Sequence, residues 1–297
     1  MTASGNTVDP LPRAFHTRDG ESETEAPIGM FDSGVGGLSI LREVHRQLPA
    51  ESVVFFADQA HVPYGPRPML QIQGFSRSIT AFLLERSAKL VVVACNTASA
   101  AALHDLRQTF PQTPFVGMEP AVKPAAATSQ TRVVGVLATP ATFQGALFAS
   151  VLERFGRGVQ VIEQTLPGLV ECIEAGDVDG AKPRSIIGRG LEPLLDRGVD
   201  TLVLACTHYP LVIPLIQEIA GPEVSVIDPS PAIARQTARL LDERGLAAPP
   251  GHEGRTEYFS SDDPDRLQSL AIRLIGLPGT AAPAGWQEDR VVAVERE

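Results

Sequence analysis

Leu90-Val91-Val92-Val93-Ala94-Cys95-Asn96-Thr97-Ala98-Ser99-Ala100 reads as a buried strand running straight into a helix. The apolar run suits a strand of a covered sheet, and the small polar residues after it suit the first turn of a helix. Cys95 then sits at a helix N-terminus, where the partial positive charge lowers a thiol pKa from about 8.5 and favours thiolate. The backbone N–H groups around Asn96 and Thr97 form an anion site suited to a carboxylate.

Leu202-Val203-Leu204-Ala205-Cys206-Thr207-His208-Tyr209-Pro210-Leu211 has the same construction, with Thr207 and His208 in place of Asn96 and Thr97. His208 is close enough in sequence to tune Cys206 or relay its proton. One strand-end cysteine by itself is most simply a small buried hydrophobe. Two at equivalent places with polar followers point to chemistry. The third cysteine, Cys172 in Leu169-Val170-Glu171-Cys172-Ile173-Glu174, has no such followers and reads as packing.

Working outward, short apolar runs alternate with longer amphipathic stretches. The runs are Ile28 to Phe31, Ser52 to Ala57, Leu90 to Ala94, Phe115 to Gly117, Val133 to Leu137, Val159 to Ile162, Thr201 to Ala205 and Val224 to Ile227. Strands separated by helices give βαβ units and a mainly parallel sheet, so the fold class is α/β.

A weak internal repeat refines this expectation. The first half runs through a strand into Asp32-Ser33-Gly34-Val35-Gly36-Gly37, a strand leading to Pro63-Tyr64-Gly65, and the strand into Cys95. The second half keeps that order, with Ala138-Thr139-Pro140-Ala141-Thr142, then Pro167-Gly168, then Cys206. Two similar domains are expected, each with a mainly parallel sheet flanked by helices. Ligands of such sheets bind at the carboxyl ends of the strands, where all six turns lie. If the halves face each other about a pseudo-two-fold axis, the active site lies in the cleft between them and the two cysteines reach one ligand from opposite sides.

The chain has 297 residues, 43% of them hydrophobic and 20% charged, which suits a globular protein with a real core. A formal net charge of -10 argues against broad binding to a nucleic-acid backbone. Residues 1–26 are polar and acidic without an apolar core, so they read as a disordered extension and not a secretory signal. No run reaches the roughly 18 to 20 apolar residues of a membrane-spanning helix. The expected location is cytoplasmic, with no membrane partner. Three cysteines without CxxC spacing are expected to be free thiols. Gly276-Leu277-Pro278-Gly279 and the Ala/Pro run after it place the end of the helical part near 276, with a loose tail over 277–297.

Other loops offer ligand contacts. The glycines after Asp32 and Ser33 allow close backbone approach, yet the run matches neither a P-loop nor GxGxxG, and a helix cap accounts for it equally well. Tyr64 and Gly65 are loop contacts or simple turn residues. Glu171 reads as a carboxylate facing the cleft or as an ordinary helix charge.

Taken in order, Asp32-Ser33-Gly34-Val35-Gly36-Gly37, Pro63-Tyr64-Gly65, Ala94-Cys95-Asn96-Thr97-Ala98, the stretch from Gly117 to Ala125 and Ala205-Cys206-Thr207-His208-Tyr209-Pro210-Leu211 closely resemble the glutamate racemases of the cofactor-independent aspartate/glutamate racemase superfamily. The resemblance spans roughly residues 28 to 230. It implies interconversion of L- and D-glutamate for peptidoglycan synthesis, with Cys95 and Cys206 as catalytic thiols. It further implies assistance from Asp32, Glu171 and His208, and substrate contacts at Asp32, Ser33, Tyr64, Gly65, Asn96, Thr97, Thr207 and His208. The chain is expected to return to the first domain after the second, giving 27–118 plus 229–276 as one domain and 119–228 as the other. A homodimer is compatible with the resemblance, whose members form different dimers.

No cofactor is expected. Pyridoxal phosphate needs a Schiff-base lysine, and Lys89, Lys123 and Lys182 stand in no motif for that role. A zinc site of Cys95, Cys206 and His208 lacks the usual ligand spacing. The rival readings are a racemase or isomerase acting on aspartate, hydantoins or maleate, and a non-catalytic protein that regulates DNA gyrase.

Overall fold

The computed structural model describes residues 22–294. Eleven strands form two sheets. The first eight are β1 (Ile28–Asp32), β2 (Val53–Ala57), β3 (Leu90–Val93), β4 (Phe115–Gly117), β5 (Val133–Ala138), β6 (Gln160–Gln164), β7 (Thr201–Ala205) and β8 (Ser225–Ile227). Each corresponds to one of the apolar runs. Three more, β9 (Thr256–Ser260), β10 (Thr280–Gln287) and β11 (Arg290–Ala293), lie beyond them.

The sheet orders carry the internal repeat into three dimensions. One sheet contains β2-β1-β3-β4 and the other is β6-β5-β7-β8, the same order of equivalent strands. All pairings within both sets are parallel. Parallel sheets covered by helices on both faces need strands apolar on both sides. Accordingly β1, β2, β3 and β7 are buried at every position.

The first sheet grows by strands from the far end of the chain. After β8 the helix Ser230–Arg244 packs on the helix Leu38–Gln47, and β9 then pairs with β2 in parallel. Strand β10 pairs with β9, and β11 turns back antiparallel on β10. The loose tail expected over 277–297 is therefore corrected: residues 280–293 close one side of the sheet. Its Gly, Pro and Ala content carries no strand signal. It becomes strand because the edge of β9 offers unpaired backbone groups, and Pro283 is tolerated because its carbonyl can still accept, as it does from Val294 N at 3.2 Å.

Residues 1–21 of the extension expected over 1–26 lie outside the described residues. Within 22–26 the chain is packed: Ala26 is buried and the Thr24 carbonyl accepts from the Lys89 ammonium at 2.5 Å. Lys89, buried at the amino end of β3, also pairs with Glu51 at 2.6 Å. This ion pair stands at the opposite end of β3 from Cys95. Among the described residues no helix is long and apolar enough to cross a membrane.

The buried Ala284 and Val291 tie the terminal strand pair to a core formed by Phe31, Phe56, Phe82 and Phe259. Ending the chain at Gly276 is expected to remove about 3 kcal/mol of apolar burial and to lower the melting temperature by roughly 6–12 °C. Calorimetry of the truncated and full chains checks this.

Candidate functional site

The two sheets meet with their carboxyl ends facing. Asp32 ends β1, Cys95 follows β3, Thr139 follows β5 and Cys206 follows β7. One small pocket is lined by Ser33, Tyr64, Gly65, Cys95, Asn96 and Thr97 from the first domain and by Thr139, Val170, Cys206, Thr207 and His208 from the second. Both strand-end thiols thus border the same space, one from each half. Cys172 is buried but lines no part of it.

Cys95 adopts an extended backbone, φ -144° and ψ 121°, and caps the helix Asn96–Thr109. Its Sγ accepts from Ala98 N at 3.4 Å, and Ser33 Oγ lies 3.9 Å away. The depressed thiol pKa expected at this helix start is corrected. Burial, and then the Asp32 carboxylate beside it, push the Cys95 thiol well above its ordinary value near 9.0 despite the Ala98 N–H. Helix-end partial charges are small against complete loss of solvent. Asp32 is itself pushed above its ordinary value near 3.8, chiefly by burial. Its Oδ2 accepts from Gly37 N at 2.7 Å and from Thr207 Oγ1 at 3.5 Å, the latter across the domain boundary.

Cys206 is surrounded differently. Pro210 and Pro214 shape the chain after it into a 3-10 helix (Tyr209–Val212) and a short α-helix (Ile213–Ala220), where the first half has one long helix. His208 turns back so that Nδ1 lies 3.8 Å from Cys206 Sγ. The other ring nitrogen, Nε2, is 2.6 Å from Glu174 Oε1. Burial pulls the His208 pKa down, but its hydrogen bonds to Cys206 and Glu174 outweigh this and hold it well above 6.5. Glu174 is raised by burial and lowered more by His208, the Val35 N–H and Gln59 together, ending below 4.5. Both directions describe one buried ion pair, imidazolium with carboxylate.

The carboxylate at this place is Glu174 and not Glu171, a correction of the sequence reading. Both lie on the helix Leu169–Glu174, but Glu171 is exposed while Glu174 is buried. The signal was present in the spacing. Glu174 falls four residues after Val170, which lines the pocket, so the two share a helix face.

Glu174 also accepts from Val35 N at 2.8 Å across the boundary between domains. That approach explains the glycines around Val35. A Cβ at Gly34 would stand 1.9 Å from Glu174 Oε1, and one at Gly36 would stand 2.5 Å from His208 Nδ1. A further bridge joins Thr97 Oγ1 to Thr139 Oγ1 at 2.9 Å, and Ser39 Oγ donates to the Thr207 carbonyl at 2.9 Å. Asn96 Nδ2 is buried without a hydrogen-bond partner among the described residues, so an unused donor stands at the pocket.

Every sequence-predicted residue except Glu171 belongs to this assembly. Asp58 was missed as a support. It is fully buried, and its Oδ2 accepts from Tyr64 Oη at 2.6 Å. Among the described residues no group of three or more His, Cys, Asp or Glu has an arrangement that could hold a metal ion.

The aspartate, glutamate and hydantoin racemase family model matches residues 28–237. The chain belongs to that family. It is 51% identical over 251 residues to the glutamate racemase of Pseudomonas paraeruginosa, covering 84% of this chain and 94% of the relative. Its fold matches a glutamate racemase isoform of Bacillus anthracis with a TM-score of 0.81 at 29% identity, covering 90% of this chain and 99% of the other. It also matches the Escherichia coli glutamate racemase in complex with L-glutamate and an activator, with a TM-score of 0.75 at 31% identity and coverages of 86% and 98%.

Glu174→Gln is expected to lower the His208 pKa, while Glu171→Gln leaves it in place; histidine NMR titration of both variants distinguishes them. The pair also sets a pH dependence of folding. Because Glu174 is lowered in the fold, its contribution is present above its ordinary 4.5 and is lost as pH falls through the folded value. Because His208 is raised, its contribution is complete below 6.5 and is lost as pH rises through the folded value. The pair therefore stabilises most between those two ordinary values, and Glu174→Gln is expected to lower the melting temperature there and to flatten the profile on either side.

Proposed function

We propose that this family member interconverts L- and D-glutamate by a two-base mechanism, with Cys95 and Cys206 on opposite faces of the substrate α-carbon. The observation that carries the reading is the pair of thiols at repeat-equivalent strand ends, bordering one pocket from two domains. The substrate assignment is supported by relatives near half identity that are glutamate racemases, and by the similar fold solved with L-glutamate.

In each direction one thiolate removes the α-proton, breaking Cα–H and forming S–H, and the opposite thiol gives its proton to the other face. Inversion results from the opposed placement. Cys95, held as thiol by burial and by Asp32, is the proton donor when removal starts from the Cys206 side. In the reverse direction Asp32 accepts the Cys95 proton before the α-proton is removed. His208, cationic against Glu174, directs its Nδ1–H at Cys206 and stabilises that sulfur as thiolate.

Charge that develops on the substrate carboxylate as the α-proton leaves needs donors already in position. The unused Asn96 Nδ2, the hydroxyls of Thr97, Ser33 and Thr207, and the start of the helix Asn96–Thr109 supply them. Tyr64 and Gly65 line the same pocket and are assigned to the substrate's side-chain carboxylate. The D-glutamate formed serves peptidoglycan synthesis, with the protein acting in the cytoplasm.

Circular dichroism of L- and of D-glutamate with the purified protein and no added cofactor tests this. Both signals are expected to decay to zero, and Cys95→Ser and Cys206→Ser each to slow racemisation by at least about 10³-fold. In D2O, early product is expected to carry deuterium at the α-carbon while remaining substrate does not, because the donor thiol exchanges with solvent. Optically stable glutamate beside racemising aspartate would move the substrate assignment and keep the thiol pair; optical stability of both would overturn the reading.

A further inference from the structure

The terminal strand pair reaches the pocket through a carboxylate to which the proton transfers above assign no part. Asp58, at the carboxyl end of β2, accepts from four side chains. Tyr64 Oη donates to Oδ2, Ser261 Oγ donates to Oδ1 at 2.8 Å, and Trp286 Nε1 donates to Oδ1 at 2.8 Å. His61 Nδ1 lies 3.0 Å from both oxygens. Ser261 follows β9 and Trp286 lies on β10, so half of the donors come from the returning end of the chain.

A buried carboxylate keeps its charge and its orientation only while donors satisfy it. His61 is shared by the two oxygens, and their remaining partners differ: Oδ1 is held by the returning segment, and Oδ2 holds Tyr64. Rotation of the carboxylate would therefore move Tyr64 and the turn Pro63-Tyr64-Gly65 in the pocket wall. Trp286 is itself fixed, with its ring edge-on to Phe75 at 5.2 Å and to His61 at 5.0 Å between centroids.

We propose that Trp286 is a positioning residue for the substrate pocket: its indole N–H orients Asp58, which holds Tyr64 and with it the turn that receives the substrate. The proposal rests on the reading of this pocket as the glutamate site. Trp286 touches neither thiol, so its loss acts on substrate binding and leaves proton transfer intact. It is the chain's single tryptophan, which makes its fluorescence a direct report on the same contact.

The test is full-chain Trp286→Phe, which keeps an aromatic body and removes the N–H. KM for glutamate is expected to rise about 3- to 10-fold with kcat within about twofold, the size of one ordinary hydrogen bond. A merely structural role would reduce the active fraction, lowering kcat at unchanged KM, and that result overturns the proposal. Ser261→Ala, which removes the other Oδ1 donor, is expected to raise KM in the same way. If Trp286→Phe does not fold, Ser261→Ala and wild-type fluorescence decide: a saturable change on adding glutamate, with a midpoint near KM, supports the link, and an unchanged KM and spectrum overturn it. Wild-type protein that racemises glutamate beside a kinetically identical Trp286→Phe refutes only the positioning role. Wild-type protein that leaves glutamate unchanged refutes the functional reading, and this proposal with it.

Discussion

The Glu174 carboxylate is the contact on which the arrangement of the two halves depends. It lies on the second domain, accepts the Val35 N–H of the first, and pairs with His208 beside Cys206. Gln59 and Arg266 reach the same residue from the first domain's side, Gln59 to its carboxylate at 3.5 Å and Arg266 to its backbone carbonyl at 2.8 Å. Because the ion pair is buried, its members must satisfy each other or leave charge uncompensated, which costs several kcal/mol. The close approach also requires the absence of side chains at Gly34 and Gly36. Domain contact, local charge and glycine placement are thus one constraint seen from three residues.

The repeat makes the thiols equivalent in topology while their surroundings make them unlike in chemistry. Cys95 faces Asp32, a buried acid that disfavours a second negative charge. Cys206 faces His208, a cation maintained by Glu174. Two groups of one type thus stand in opposed electrostatic surroundings, which pushes their protonation preferences apart. The chain reaches this by varying the residues after each strand: Asn96 and a long helix after Cys95, and Thr207, His208 and a proline-shaped turn after Cys206.

The first domain is completed by the end of the chain, and this completion reaches the pocket. Strand β9 brings Ser260, which donates to Gln59 at 2.8 Å, and Gln59 in turn reaches Glu174. The neighbouring Ser261 and the more distant Trp286 meet at Asp58, which holds Tyr64. The returning segment therefore supports both walls of the site, through hydrogen bonds that no hydrophobic pattern announces.

Local sequence determined the eight strands through Ile227, the repeat, and the two cysteines at strand ends, because apolar runs and strand-to-helix turns are short-range signals written in consecutive residues. Folding alone decided the rest. The strands β10 and β11 form because β9 presents an open edge, not because Thr280 to Gln287 favours extension. Glu174 replaces Glu171 at His208 because a helix face is chosen by what packs against it. The Cys95 thiol rises where its helix start alone would lower it, because burial and the neighbouring Asp32 charge exist only once β1 has paired with β3 and the strand ends are covered. Each of these outcomes depends on groups far apart in sequence, and burial and electrostatics act on distance in space.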